Sequence, residues 1–396
     1  MKATHTKKVR VGVLFGGRSS EHEISILSAL EMIAAMDTTA YEPVPIYLAT
    51  DGRWFTGREL LNRDYYRGVP GCLAALAEVT LPPSPQREGL RVLRSSEAYP
   101  NKFVPIDVYF PVFHGQFGED GCIQGVLELA EVPYVGCGVM AAAVAMNKYV
   151  CKMYLKAHGI PVLPSTTASK SRAFQNMSAL TQRILSEPGL SEFPLFIKPC
   201  NMGSSVGIGK ASNREELAVC LSRVFKYDHR AIIEPCIYDL FEINVSVRNE
   251  TNPIASAVEI PASTTGILTY EDKYMRGAKK TGRRSQGMAS LVRSIDPPEL
   301  EAHYKDAVRN YAVQAYELLE CAGIARLDFI VNKVDGKLYF NEINSPPGSL
   351  AHYLWAKSDP RRLYTETIGE LVTEALDIHA RKLSLQRDIG FRALFN

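Results

Sequence analysis

Apolar and polar positions alternate along this chain with two periods. Apolar runs of strand character at residues 9–15, 41–48 and 106–113 are separated by other segments, and the first and third end in Gly16-Gly17 and His114-Gly115. Such β/α alternation predicts a parallel sheet flanked by helices. Ligands gather at the carboxyl ends of such strands, where both glycine-bearing pairs fall. Ser20 and Glu23 have the spacing of a capping box that opens a helix. Between Asp51 and Pro100 the apolar runs are short and broken by Pro, Gly and Arg, which predicts peripheral loops and short elements. Residues 121–129 read as a helix and 132–135 as a short strand.

Further on, residues 139–157 read as one long helix closed by His158-Gly159 and followed by Pro161. A strand at 193–199, a Gly/Ser loop and a return at 206–210 come next, then a helix at 214–225 and a strand at 231–234. Paired strands follow at 242–248 and 254–260. The polar, basic segment 270–286 precedes an amphipathic helix at 299–322, a hairpin and a last helix at 361–383. The pattern divides the chain into an N-terminal parallel α/β domain, residues 1–137, and two α+β portions with antiparallel sheets, 138–236 and 237–396. A cleft between the two α+β portions is the natural active site.

Composition narrows the class. Over 396 residues, 45 Lys and Arg face 43 Asp and Glu, so no broad attraction to nucleic acid or membrane is indicated. The basic start, residues 1–10, has no apolar core behind it and does not read as a signal peptide. No apolar run is long enough to span a bilayer. The eight cysteines are scattered without a C-x-x-C pair and read as reduced thiols, which points to the cytoplasm.

The densest chemistry lies between Arg326 and Asn344. Two apolar runs flank Asp335-Gly336 and read as a β-hairpin. A three-residue loop ending in Gly336 would set Asp328, Glu342 and Asn344 on one face. Two carboxylates and an amide oxygen suit Mg²⁺; a surface hairpin with solvated acids is the other reading. The loop from Lys198 to Gly207, with Gly203, Ser204 and Ser205, reads as a phosphate cradle or as a plain hairpin turn. Lys148 is a second cation for nucleotide phosphates or a solvated helix lysine. The run from Ile232 to Ile237 carries Glu234, able to accept the exocyclic amine of adenine, and Glu242 could accept from ribose hydroxyls. His114 heads a Gly-rich strand-to-helix junction, where it either binds an anion or is satisfied locally. Gly136-Cys137-Gly138-Val139-Met140-Ala141 matches a dinucleotide fingerprint, but only a stub of strand precedes it and the acid expected about twenty residues on is missing. An NAD-dependent oxidoreductase is therefore a distant alternative.

These pieces occur in one order: Gly-Gly-x-Ser-x-Glu at 16–21, His-Gly-x-x-Gly-Glu-Asp-Gly-x-x-Gln-Gly at 114–125, Lys148, Lys-Pro with Gly-Ser-Ser-Val-Gly, Lys273-Tyr274, Arg-Leu-Asp-Phe and Asn-Glu-Ile-Asn. That order resembles the D-alanine–D-alanine ligases of the ATP-grasp superfamily, from about Val9 to Ile378. The resemblance implies an ATP-grasp fold, α/β and α+β, behind an N-terminal Rossmann-like (pre-ATP-grasp) domain. It implies an ATP-dependent carboxylate–amine ligase acting through an acyl phosphate, in the cytoplasm, on small amino acids, as a homodimer, with neither nucleic acid nor membrane as partner. By this carry-over Lys148, Lys198, Ser205, Glu234, Ile237, Glu242 and Lys273 bind ATP. Asp328, Glu342 and Asn344 hold two Mg²⁺, with Mn²⁺ as a substitute. Arg326 and the Gly348 amide stabilise the oxyanion, Glu21 holds the first ammonium, and His114 lies near the acyl phosphate. Ser204 and Tyr274 shape the second site, and residues 270–288 close over the cleft. Tyr274, where D-lactate ligases carry a His, favours an amine nucleophile.

Two departures touch substrate choice. Tyr353, followed by Leu354, stands at the position of a substrate-binding Ser. Met288-Ala289-Ser290-Leu291 stands where Cys-Pro-Ala is usual. A ligase joining other amino or hydroxy acids, of the D-alanine–D-lactate or D-serine type, is the alternative these departures raise.

Overall fold

A computed structural model describes residues 7–85, 88–203, 206–249, 252–261, 293–387 and 390. Strand β1 (Val9–Gly16) is apolar on both faces and buried along most of its length, as a strand covered on both sides requires. It pairs in parallel with β2 (Tyr41–Leu48) on one side and with β7 (Val108–Pro111) on the other. Beyond these three strands the expected parallel arrangement continues as a single bridge, Tyr109 to Tyr134, at the short strand expected over 132–135. The segment 51–100, read as peripheral loops and short elements, supplies β3 (Trp54–Thr56), β4 (Ala77–Thr80) and β5 (Leu90–Arg94), and β6 (Phe103–Val104) follows it. These extend one edge antiparallel, in the order β6-β5-β4-β3-β2-β1-β7. Each is two to five residues long, too short for an alternation to register in sequence.

Helix α1 (His22–Ala35) follows β1, and no side chain caps it. The expected Ser20–Glu23 capping box is absent. Ser19 instead accepts the Glu21 N–H at 3.1 Å and donates to the His114 carbonyl at 2.6 Å, tying the loop after β1 to the loop after β7. Helix α2 (Cys122–Leu129) covers β7. The single long helix expected over 139–157 is two, α3 (Val139–Met146) and α4 (Lys148–Ala157). Asn147 breaks it: its Oδ1 accepts the Val150 N–H at 3.0 Å as an N-cap, and its Nδ2 donates to Asn201 Oδ1 at 2.7 Å.

The middle of the chain forms a four-stranded antiparallel sheet from β8 (Thr166–Ser169), β9 (Leu195–Pro199), β10 (Gly209–Ala211) and β11 (Arg230–Pro235), ordered β10-β9-β11-β8. Its apolar face packs on α5 (Lys170–Gln175), α6 (Met177–Leu185) and α7 (Arg214–Val224). A second antiparallel sheet, β14-β13-β12-β15-β16, joins β12 (Leu240–Asn249), β13 (Pro253–Pro261), β14 (Arg293–Ile295), β15 (Ile324–Asn332) and β16 (Leu338–Asn344). Ile243, Val245, Leu327 and Phe329 on one face of this sheet bury Val308, Ala312 and Ala315 of α8 (Ala302–Leu318). Alternation sends the polar residues of β12 and β15 to the other face, toward the four-stranded sheet. A short helix α9 (His352–Trp355) and the last helix α10 (Tyr364–Leu383) complete the chain. Ile368, Leu371 and Val372 of α10 enter the same core as Val11, Phe15 and Met32. The helix thus belongs by packing to the N-terminal sheet, which sequence proximity alone could not say.

Candidate active site

The cleft face of the five-stranded sheet carries one polar row across four strands, Glu259–Asn244–Asp328–Glu342. The next row on that face is Ser246–Arg326–Asn344. Asp328 and Glu342 are directly opposite, as predicted, but by a different device. The hairpin closes with the Asn332 N–H on the Lys337 carbonyl at 3.0 Å, so Lys333-Val334-Asp335-Gly336 is a four-residue turn. Gly336 takes the expected left-handed conformation, φ +69°. An even turn alone would set Asp328 against Asn341. A bulge at Asn341, between the pairs Phe329↔Phe340 and Asp328↔Glu342, shifts the register by one residue and restores the shared face.

The extra residue has a partner of its own. Asn341 Oδ1 accepts from Lys198 Nζ at 3.1 Å, and the same ammonium lies 2.9 Å from Glu234 Oε2. Lys152 bonds the other Glu234 oxygen, and Lys152 and Glu234 are each 1% exposed. Burial opposes the Glu234 charge, but Lys152 and Lys198 override it and bring its pKa down to about 2. The Glu234 carboxylate expected at adenine is thus held by two lysines. Two lysines on one carboxylate leave a positive surplus that suits a phosphate. Lys148, placed in the first turn of α4 by the break at Asn147, donates to the Met202 carbonyl at 2.8 Å and lies 3.2 Å from Glu342 Oε2. Ile237 lies half-buried in the connection from β11 to β12, and Glu242 half-buried on β12 opposite Ile330.

Arg326 grips Asp328 with two parallel bonds of 2.7 Å, and Asn344 Nδ2 reaches Asp328 Oδ2 at 3.2 Å. Among the described residues no three His, Cys, Asp or Glu gather as a metal cluster. The donor set is two carboxylates and an amide oxygen on adjacent paired strands, which fits a hard divalent cation that also takes oxygens from its substrate.

From the N-terminal sheet, Glu21 is buried where two glycine loops meet. A Cβ on Gly203 would lie 2.7 Å from Glu21 Oε2, and one on Gly115 2.9 Å from it. Only glycine lets the carboxylate sit between them. Glu119 accepts the Gly115 N–H, and burial, with the charge of Glu21 beside it, pushes its pKa up to about 8. His114 is buried with Nε2 2.9 Å from Ser28 Oγ. Burial, aided by the Arg326 charge, brings it down to about 4, so the ring is neutral at pH 7.

Gly348 opens a turn in which Ser349, Leu350 and Ala351 have φ of +51°, +48° and +48°. Three successive side-chain-bearing residues in this region are strained. Burial of Leu350 and Ala351 and a Ser349–Glu31 hydrogen bond hold them there. The turn delivers Tyr353, whose hydroxyl lies 3.3 Å from Glu259 Oε1 and whose ring carries the Arg293 guanidinium 3.6 Å from its centroid. Arg293 also bonds Glu259 at 3.0 Å. Leu354 is fully buried, packed with Ala351 and Tyr353.

The structure therefore brings together Glu21, His114, Lys148, Lys198, Glu234, Arg326, Asp328, Glu342 and Asn344 around one cleft. Ser204, Ser205, Lys273, Tyr274 and the closing segment 270–288 lie outside the described residues. Sequence reasoning missed Lys152, Asn341, Glu119, Glu259 and Arg293. Lys152 had a signal, since it lies one helical turn beyond Lys148 on the same face. Glu259 had another, an acid within the apolar strand run 254–260. Asn341 had none, because a bulge leaves no mark in periodicity.

Comparison with known proteins points to one family. Residues 10–137 match the family described as D-ala D-ala ligase N-terminus, and residues 154–361 the family described as D-ala D-ala ligase C-terminus. The chain is 37% identical over 388 residues to the D-alanine–D-alanine ligase A of Bradyrhizobium diazoefficiens, covering 96% of this chain and 98% of that one. Among solved structures it resembles the D-alanine–D-alanine ligase of Coxiella burnetii, with a TM-score of 0.74, 27% identity, and 96% and 97% of the two chains covered. It also resembles the VanG D-Ala:D-Ser ligase of Enterococcus faecalis, with a TM-score of 0.74, 26% identity, and 94% and 100% covered.

Proposed function

The chain belongs to the D-alanine–D-alanine ligase family, and on that membership we propose that its cleft joins two D-alanines with ATP, making the dipeptide for peptidoglycan precursors. The observation that carries the reading is the facing of two surfaces. Asp328, Glu342 and Asn344 line one sheet, and Lys148 and Lys198 reach toward them from the other side, through Glu342 and Asn341. This is what phosphoryl transfer demands: cations on the phosphoryl oxygens and a metal site opposite.

In this reading the first D-alanine carboxylate oxygen attacks the γ-phosphorus and ADP leaves. The amine of the second D-alanine then attacks the acyl carbon, phosphate leaves, and the amine gives up a proton. Lys148 and Lys198 hold the phosphates, and the family resemblance assigns Ser205 and Lys273 to ATP as well. Ile237, Glu242 and the backbone around Glu234 take the adenosine. Asp328, Glu342 and Asn344 would hold Mg²⁺, two ions, with Mn²⁺ able to replace them. The bound metal would neutralise charge on the transferring phosphoryl group. Arg326 and the Gly348 amide stabilise the oxyanion of the tetrahedral intermediate.

Glu21, held between Gly115 and Gly203, receives the first ammonium. Neutral His114 offers a hydrogen bond near the acyl phosphate. Ser204 and Tyr274 shape the second site, and segment 270–288 excludes water. Tyr353, backed by Leu354, narrows the first. We assign boundaries near residues 137 and 236, a homodimer, and the cytoplasm, where the nucleotide substrate is. Among the described residues no helix is long and apolar enough to cross a membrane.

The experiment is phosphate release from Mg-ATP across a panel of D- and L-amino acids and hydroxy acids, with the products weighed by mass spectrometry. Release that depends on D-alanine and yields the dipeptide is the expected result. Silence with D-alanine but turnover with another pair would overturn it.

A further inference from the structure

Where the end of the N-terminal domain meets the turn before β15, two cysteines from distant parts of the chain come together. Cys137 follows Gly136 in the turn that enters α3, and Cys321 lies in the turn between α8 and β15. Cys321 packs against the cluster that holds Cys137, and the Cys137 thiol donates to the Ala322 carbonyl, next in the chain after Cys321, at 3.5 Å. The two turns touch along their backbones: a Cβ on Gly323 would lie 2.8 Å from Gly136 Cα. Glycine at 323 is what allows that approach, and both residues take a left-handed φ, +102° at Gly136 and +72° at Gly323. Disulfides need the two chain segments this near, with Cα atoms about 4.4–6.8 Å apart.

We propose that Cys137 and Cys321 are an oxidation site, a dithiol that peroxides convert to an intrachain disulfide. Access is through Cys321. Cys137 is 4% exposed, but Cys321 is half-buried and, with Gly136, Ala322 and Glu374, lines a cavity of about 600 Å³. A peroxide, small and uncharged, can enter there. The contact between them raises the Cys321 thiol and draws the Cys137 thiol down, so once peroxide has oxidised the cavity-lining Cys321 sulfur to the sulfenic acid, Cys137 is the partner that gives up its proton and displaces water to close the S–S bond. In the net step the two thiols give up two protons and two electrons and the S–S bond forms. The O–O bond of the peroxide breaks, giving two waters from hydrogen peroxide. The bridge would tie the exit of the N-terminal sheet to the turn feeding β15, the strand that carries Arg326 and Asp328.

The test is peptide mapping of the whole protein with and without hydrogen peroxide, the thiols left free after that step being alkylated before digestion. Expected is one cross-linked peptide pair, Cys137 with Cys321, lighter by two hydrogens than the two peptides together and split by dithiothreitol into two thiol peptides that then take the alkylating agent. Cys137→Ser and Cys321→Ser each abolish that pair. The inference is overturned if both residues stay alkylatable after oxidation while other thiols react, or if Cys321 bridges to Cys151 instead. Wild type alone decides the matter should a serine variant fail to fold, and the readout does not depend on ligase activity.

Discussion

Lys152→Met isolates the buried pair at the base of the cleft. The substitution keeps the bulk of the side chain and removes one of the two cations that hold Glu234 ionised. The size follows from the structure in two ways. Displacement of the Glu234 pKa from 4.5 to about 2 corresponds to about 3 kcal/mol of support for its charge. Breaking a buried ion pair from one side costs about 3–5 kcal/mol. Lys198 remains 2.9 Å from the carboxylate, so the lower end applies. At about 2–4 °C per kcal/mol for a unit of this size, the thermal midpoint should fall by about 6–12 °C. The assay is calorimetric or fluorescence melting at pH 7 without nucleotide. The control is Lys152→Met with Glu234→Leu, which removes both charges and should recover most of the loss. A fall of less than about 2 °C, or a double variant as unstable as the two single losses added, would refute the reasoning.

Other outcomes are fixed by the same geometry. Because the folded pKa of Glu234 is depressed, its contribution is complete above pH 4.5 and disappears as pH falls toward about 2; melting across that window should show the gap between wild type and Lys152→Met closing. Asn341→Ala removes a hydrogen bond to the Lys198 ammonium, worth about 1.5 kcal/mol, and steady-state kinetics should show KM for ATP up about tenfold with kcat less affected. Tyr353→Ser takes away the phenol that Arg293 and Glu259 hold, so competition between D-alanine and D-2-aminobutyrate at the first position should shift about tenfold toward the larger substrate; an unchanged ratio would place the phenol outside the subsite. Chelation by EDTA should abolish D-alanine-dependent phosphate release, and added Mg²⁺ should restore it.

Much of this molecule is written in its residue order. The buried run of β1, the acids at Asp328 and Glu342, and Lys198 at the end of its strand are local facts. Strand period, charge and glycine placement act over a few residues and survive without knowledge of partners. The sequence therefore determined the family, the chemistry and most of the residues that line the cleft. Tertiary structure decided what depends on pairing at long range. The break at Asn147 is set by its bond to Asn201, not by helix propensity over 139–157. The shared face of Asp328 and Glu342 comes from a bulge opposite Phe329, not from the length of the turn. Strands β3 to β6 exist because each finds a neighbour, and α10 closes the first core rather than the last. Which carboxylate each lysine holds is likewise fixed only when two sheets face one another. A charge in a sequence has no partner until the fold supplies one, and in a buried site the partner sets its protonation, its energy and its use.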